Sequence, residues 1–155
     1  MLFRSLRTFT GTGGITIIIK SHPTVPFARI CSYIGPPPEN VRFSDEPIEK
    51  LLEDADVLLY SESAVCIEAL AGGVPVVHVR SDFRIDMNIL EGIGGVPSVS
   101  LPEEIRSSVE HVTSPEGYDQ FRAIQGIVDE FFAPVRDNFA GILIGDEAPR
   151  SGVGF

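Results

Sequence analysis

Two short polar segments each follow an apolar run of the sequence that has the character of a β-strand. Residues 20–23 (Lys-Ser-His-Pro) come directly after the isoleucine-rich run at 15–19, and residues 61–64 (Ser-Glu-Ser-Ala) come directly after the apolar run at 57–60. Open α/β sheets bind their ligands beyond the carboxyl ends of the strands. If the two strands are neighbours, both polar segments face one crevice at that edge.

The residue types in these segments suit the binding of a phosphate or diphosphate. Ser61 and Ser63 supply hydroxyl donors, and a helix that opens there directs its first N–H groups and the positive end of its dipole outward. An imidazole titrates near neutral pH, so His22 is able to donate to a phosphate oxygen or a leaving group, while Lys20 adds a positive charge. Such a site holds an anion without a metal ion.

Glu68 extends this candidate site along the same helix. It lies four residues beyond Ala64, hence on the same helical face and one turn deeper. A carboxylate at that position accepts hydrogen bonds from both hydroxyls of a ribose. Glu62 is unfavourable beside a phosphate unless its side chain turns away.

Each of these residues also has a plainer interpretation that the sequence leaves open. A serine at this place caps a helix in most proteins, and a lone histidine is usually a surface or structural residue. A lysine at the end of a strand and a glutamate on a helix are ordinarily solvated.

The other chemical motifs are weaker. The glycine-rich stretch at 11–14 precedes a strand, whereas a phosphate-binding loop follows a strand and opens a helix. His22, His78 and His111 show no zinc-like spacing, and the chain has no Gly-x-Ser-x-Gly nucleophile elbow. The sequence therefore predicts no metal site, no cofactor and no ordinary serine hydrolase.

Strands and helices alternate along the part of the chain that must position these residues. Four runs are typical of strands: 15–19, 41–43, 57–60 and 76–79. One helix is predicted to open at Asp45-Glu46-Pro47, and a second to be capped by Ser61-Glu62-Ser63 and to stop at Gly72-Gly73. Further helices are predicted near 102–111, 116–131 and 134–144. This order predicts an α/β fold: a doubly wound, mostly parallel, Rossmann-like sheet with helices on both faces.

Length and composition limit the domain organisation and the partners. A chain of 155 residues suits one domain, predicted over 15–144, with a poorly defined segment at 1–14 and a mobile tail at 145–155. The formal net charge of −10 disfavours nucleic acid and anionic lipid as partners. The two cysteines have no metal spacing, and no apolar run reaches the about 20 residues of a membrane span. We expect a cytoplasmic protein that reaches a membrane surface only through a partner.

Residues 68–77 (Glu-Ala-Leu-Ala-Gly-Gly-Val-Pro-Val-Val) resemble the donor-lobe segment of GT-B glycosyltransferases, in which the leading glutamate typically binds the donor's ribose. Residues 20–23 resemble the Lys-Pro-His-Pro element of surface-carbohydrate enzymes in this superfamily, including bacterial sialyltransferases and polyol-phosphate transferases. In those enzymes the His-Pro pair and a downstream serine motif contact the nucleotide phosphate. The resemblance covers residues 15 to 80 and implies a single GT-B lobe.

Two positions depart from the pattern of the superfamily. Tyr60 stands eight positions before Glu68, where retaining enzymes often carry a second glutamate, and Ser21 replaces the first proline of the Lys-Pro-His-Pro element. These departures leave the subfamily open, and with it retention or inversion at the sugar. A complete enzyme of this type also has an N-terminal lobe. We expect the chain to be a fragment or, less favoured, a subunit whose acceptor-binding lobe is another polypeptide.

The resemblance implies the nucleotide-sugar-binding half of a metal-independent glycosyltransferase that acts on a surface carbohydrate or glycolipid acceptor. The implied catalytic residue is His22. The implied donor-binding residues are Lys20, His22, Ser61, Ser63, Ala64 and Glu68. Alone, the chain should bind the donor and scarcely turn over, and an apolar face left without its partner lobe favours self-association. Two alternatives stay open: a sugar epimerase of the UDP-N-acetylglucosamine 2-epimerase type, and a non-catalytic nucleotide-binding module.

Overall fold

The computed structural model describes residues 14–21, 27–34, 36–80 and 87–131. The strands in these ranges are β1 (Ile17–Lys20), β2 (Val41–Ser44), β3 (Leu58–Tyr60), β4 (Val76–Val79) and β5 (Ser98–Val99). The helices are α1 (Phe27–Ile34), α2 (Ile48–Glu53), α3 (Val65–Ala71), α4 (Pro102–Val112) and α5 (Pro115–Phe131). The predicted helix at 134–144 and the predicted tail at 145–155 lie outside the described residues.

The described strands pair in parallel in two sheets. β1 pairs with β2, with Ile17 opposite Val41. β3, β4 and β5 form the second sheet in that order, and the row across it joins Tyr60, His78 and Ser98. Parallel neighbours need a crossover between them, and α3 supplies it between β3 and β4. The predicted α/β fold with parallel strands is thereby confirmed.

Side chains alternate between the two faces of the second sheet and build a core on each. On one face, Leu58, Tyr60 and Val76 pack with side chains of α3 and α5. On the other face, Leu59 and Val77 pack with side chains of α4. The helices thus cover both faces of the sheet, as the near-continuous apolar strands predicted.

The glycine pair at 72–73 ends α3 as the sequence predicts. Gly73 has a φ of +84°, a conformation that a residue without a Cβ adopts at little cost. The N–H of Gly73 donates to the carbonyl of Leu70 at 3.1 Å, and the N–H of Val74 donates to the carbonyl of Ala69 at 2.8 Å. This is the hydrogen-bond pattern of a Schellman motif, which turns the chain from α3 into β4.

Of the helices that the structure describes, none combines the length and the apolar character that a membrane span requires.

Candidate functional site

The first predicted polar segment, residues 20–23, begins at the last residue of β1, and the structure describes only residues 20 and 21 of it. Lys20 is the exposed last residue of β1, and Ser21 beside it is half-buried. His22, the predicted catalytic residue, and Pro23 lie outside the described residues. Their part in the site therefore stays a prediction.

The second predicted polar segment, residues 61–64, forms the turn between β3 and α3. Ser61 is half-buried, and Glu62, Ser63 and Ala64 are exposed. The turn thus presents two serines within three residues of the point where β3 ends.

Ser63 makes a local hydrogen bond at the start of α3. Its Oγ accepts a hydrogen bond from the N–H of Val65 at 3.3 Å, while Ala64 occupies the N-cap position without a side-chain bond of its own. Ser63 thus lies one residue before the N-cap, and its bond is that of a serine turn. The bond uses only the oxygen as acceptor, so the hydroxyl proton of Ser63 is not committed by it.

The two strands that carry these segments share one apolar cluster. Ile15, just before β1, and Ile17, its first residue, pack against the buried cluster that Val57 and Leu59 also contact. That the two polar segments face one crevice stays a prediction.

Glu68 lies on an exposed part of α3 and lines an open groove between α2 and α3. The groove has a volume of about 350 Å³ and is lined by Glu49, Leu52, Glu53, Glu68, Ala71 and Gly72. Three carboxylates line it together with apolar groups, so it suits uncharged hydroxyls better than phosphate oxygens. Within the described part of the chain, no group of three histidine, cysteine or carboxylate side chains is placed to hold a metal ion.

A buried polar network around Tyr60, the residue that precedes the turn at 61–64, was not predicted from the sequence. Tyr60 is 5% exposed, and its hydroxyl donates to Oδ1 of Asn88 at 2.8 Å. The same Oδ1 accepts the N–H of Leu90 at 3.1 Å. Tyr60 and Asn88 stand 28 residues apart, and no local spacing pairs two residues at that separation.

His78 belongs to the same row of the sheet. It is 1% exposed, its ring lies 5.2 Å from the ring of Tyr60, and its Nδ1 lies 2.9 Å from Oγ of Ser98. The sequence excluded His78 only as a zinc ligand; the structure gives it a place in the core between β3 and β5.

Comparisons with known proteins identify the fold of the chain but do not identify its chemistry. No family model matches the chain, and no curated protein matches it. Among solved structures, the chain is similar to the crystal structure of the glycotransferase of kitacinnamycin, with a TM-score of 0.67 and 19% identity. That match covers 96% of this chain and 40% of the other chain. The glycosyltransferase SnogD from Streptomyces nogalater matches with a TM-score of 0.48 and 18% identity, over 79% of this chain and 44% of that one.

The first of these similarities identifies the fold of the chain as that of one part of a larger α/β protein. The chain spans less than half the length of each of these two solved structures.

Proposed function

We propose that this chain is the donor-binding half of a glycosyltransferase that transfers a sugar from a nucleotide-sugar to a surface carbohydrate or glycolipid acceptor. The observation that carries the proposal is that nearly the whole chain shares the fold of a solved glycosyltransferase while covering well under half of it. The uncovered part of that structure leaves room for a second lobe. In our proposal, the acceptor binds there.

The arrangement of charge supports two subsites. The turn with Ser61 and Ser63 carries hydroxyl groups where β3 ends, and Lys20 ends β1 with a positive charge. This part suits the phosphates of a donor. Glu68 lies in a groove with further carboxylates, which repel phosphate and accept hydrogen bonds from ribose hydroxyls.

The proposed chemistry is electrostatic. When the sugar leaves, negative charge develops on the nucleotide, and donors that are already in place lower the free energy of the transition state. Ser61, Ser63 and the cation of Lys20 are the described donors, and His22 is proposed to donate a proton or a hydrogen bond to the leaving phosphate. A general base, where the acceptor needs one, belongs to the second lobe.

Calorimetric titration with CMP, UDP, GDP and CDP tests the proposal on the chain as it is. We expect saturable binding of one of these nucleotides in preference to the others. The double variant Ser61→Ala/Ser63→Ala should weaken that binding, whereas Ser107→Ala, an exposed serine on α4, should not. An absence of binding to all four at millimolar concentration would contradict the proposal and favour a non-catalytic module.

A further inference from the structure

The side chain of Tyr60 joins parts of the molecule that meet at the carboxyl end of β3. Its backbone precedes Ser61, the first residue of the turn with the proposed phosphate donors. Its hydroxyl donates to Asn88, whose Oδ1 also accepts the N–H of Leu90. One amide oxygen therefore links the end of β3 to the chain at 88–90, which lies after β4.

Tyr60 also belongs to the same buried apolar cluster as the start of α3. Cys66, the second residue of α3, is fully buried in that cluster. Burial raises the pKa of the Cys66 thiol, which therefore keeps its proton at neutral pH.

The turn at 61–64 is thus held from both of its ends. At its beginning, Tyr60 is fixed in the row of β3 and β4 opposite His78. At its end, the N–H of Cys66 donates to the carbonyl of Ser63 at 3.4 Å, and Cys66 lies in the same buried cluster as Tyr60. Because the hydroxyl of Tyr60 is bonded to Asn88, it limits how far the turn can move relative to the chain at 88–90.

We propose that Tyr60 is a positioning residue for the site at the end of β3: its hydroxyl bond to Asn88 holds the serine turn at 61–64 in the conformation that binds the donor. This inference rests on the proposed function. At 5% exposure, Tyr60 acts through its neighbours and not by contact with a ligand. Donors that are held in place before binding cost less free energy to order when the ligand arrives.

The test compares the wild type with Tyr60→Phe, Asn88→Ala and the double variant, and two further variants serve as controls. Phenylalanine keeps the ring that packs beside His78 and removes only the hydroxyl. Ile105→Val serves as the matched control, because Ile105 is buried on the opposite face of the sheet and the change lowers stability without touching the network. Asn88→Asp keeps an Oδ1 acceptor for the tyrosine hydroxyl and should restore what Asn88→Ala loses.

The first readout is hydrogen exchange of backbone amides, which needs no ligand. We expect the N–H groups of Val65, Cys66 and Leu90 to exchange about fivefold faster in Tyr60→Phe, the ratio that the loss of one net hydrogen bond gives. The double variant should exchange no faster than the faster single variant, because both remove the same bond. In Ile105→Val, the exchange rates of these three amides should keep the same ratio to the rates in the rest of the chain as in the wild type.

The second readout is nucleotide affinity, measured well below the melting temperature of every variant. Tyr60→Phe should weaken binding of the preferred nucleotide about fivefold, and Ile105→Val should not. Uniform changes of exchange in Tyr60→Phe, or additive effects in the double variant, would overturn the inference. Faster local exchange together with unchanged nucleotide affinity would also overturn it. If the wild type binds no nucleotide, the proposed function fails and the inference with it, while exchange still reports whether Tyr60 holds the turn.

Discussion

His78 and Ser98 lie opposite each other on the neighbouring parallel strands β4 and β5, with 2.9 Å between Nδ1 of the ring and Oγ of the serine. The histidine is almost completely buried, so this ring nitrogen depends on protein groups for its hydrogen bond. Ser98 is the first residue of the short strand β5. The hydrogen bond between these two side chains therefore links β5, the last described strand, to β4 at the centre of the second sheet.

Ser98→Ala should destabilise the protein because the Nδ1 of His78 loses its partner in Ser98 while the ring stays buried. We expect the free energy of unfolding to fall by about 1–3 kcal/mol in a urea titration. Ser107→Ala is the matched control, because the hydroxyl of Ser107 is exposed and bonds only within its own helix, to the carbonyl of Glu104. Equal effects of the two changes would contradict the role given to Ser98.

Gly73 and Gly126 should respond in opposite directions to alanine. Gly73 has a φ of +84°, where a Cβ is strained, so Gly73→Ala should lower the free energy of unfolding by about 1–2 kcal/mol. Gly126 lies within α5, where a Cβ meets nothing within 4 Å, and Gly126→Ala should raise the free energy of unfolding by about 0.5–1 kcal/mol. Thermal and urea unfolding of both variants measure the difference. A loss of stability in both would show that the positive φ is not the cause.

The sequence was most informative where local patterns determine structure. The apolar runs around Leu59 and Val77 predicted strands buried on both faces, and the glycine pair at 72–73 predicted the end of α3; the structure agrees with each. These features follow from side-chain periodicity and from backbone freedom, which a few neighbouring residues determine. The fold class was therefore predictable from the sequence.

The sequence was least informative where a feature depends on residues far apart in the chain. β5 contains only Ser98 and Val99, too few residues for an alternating pattern, and it is a strand because β4 lies beside it. The bond between Tyr60 and Asn88 likewise exists only after the sheet has formed. At the candidate site, the sequence predicted the serine turn and Glu68 as binding residues, and no local pattern indicated the buried network of Tyr60, Asn88 and Leu90.

Glu104 should make the stability of the protein depend on pH in acid. Its Oε2 accepts the N–H groups of Leu101 and Ser100, each at 3.0 Å, and these bonds lower the pKa of the carboxyl below its ordinary value of 4.5. A lowered pKa in the folded state means that the unfolded state binds the proton more tightly. The contribution of Glu104 is therefore present above pH 4.5 and is lost as the pH falls through the lower folded value.

Glu104→Gln should flatten this part of the pH profile, because an amide does not titrate. Melting temperatures measured from pH 7 down to pH 3 would show the wild type losing more stability than the variant over that acid range. Glu103→Gln, one residue earlier on the exposed surface of α4, removes the same charge without the two backbone bonds. If Glu103→Gln flattens the profile equally, general charge is responsible and not the two backbone hydrogen bonds of Glu104.

Glu68 should distinguish a ribonucleotide from its 2′-deoxy analogue if it binds the ribose in the groove between α2 and α3. Glu68→Gln should weaken the preferred ribonucleotide about 10- to 100-fold, the range expected when a hydrogen bond to a charged group is lost. The same substitution should weaken the 2′-deoxynucleotide much less, because one of the two hydroxyls is already missing. Calorimetric titration of both ligands into both proteins gives the four affinities.

Glu53→Gln is the control for this experiment, since Glu53 lines the same groove and its loss changes the local charge equally. If the carboxylates act only by repulsion, both substitutions should strengthen nucleotide binding, because each removes a negative charge near the phosphates. If Glu68 accepts hydrogen bonds from the ribose hydroxyls, only Glu68→Gln should weaken binding. Equal loss for the ribonucleotide and the 2′-deoxynucleotide would contradict the ribose assignment even if Glu68→Gln binds weakly, because the effect would then not depend on the hydroxyl.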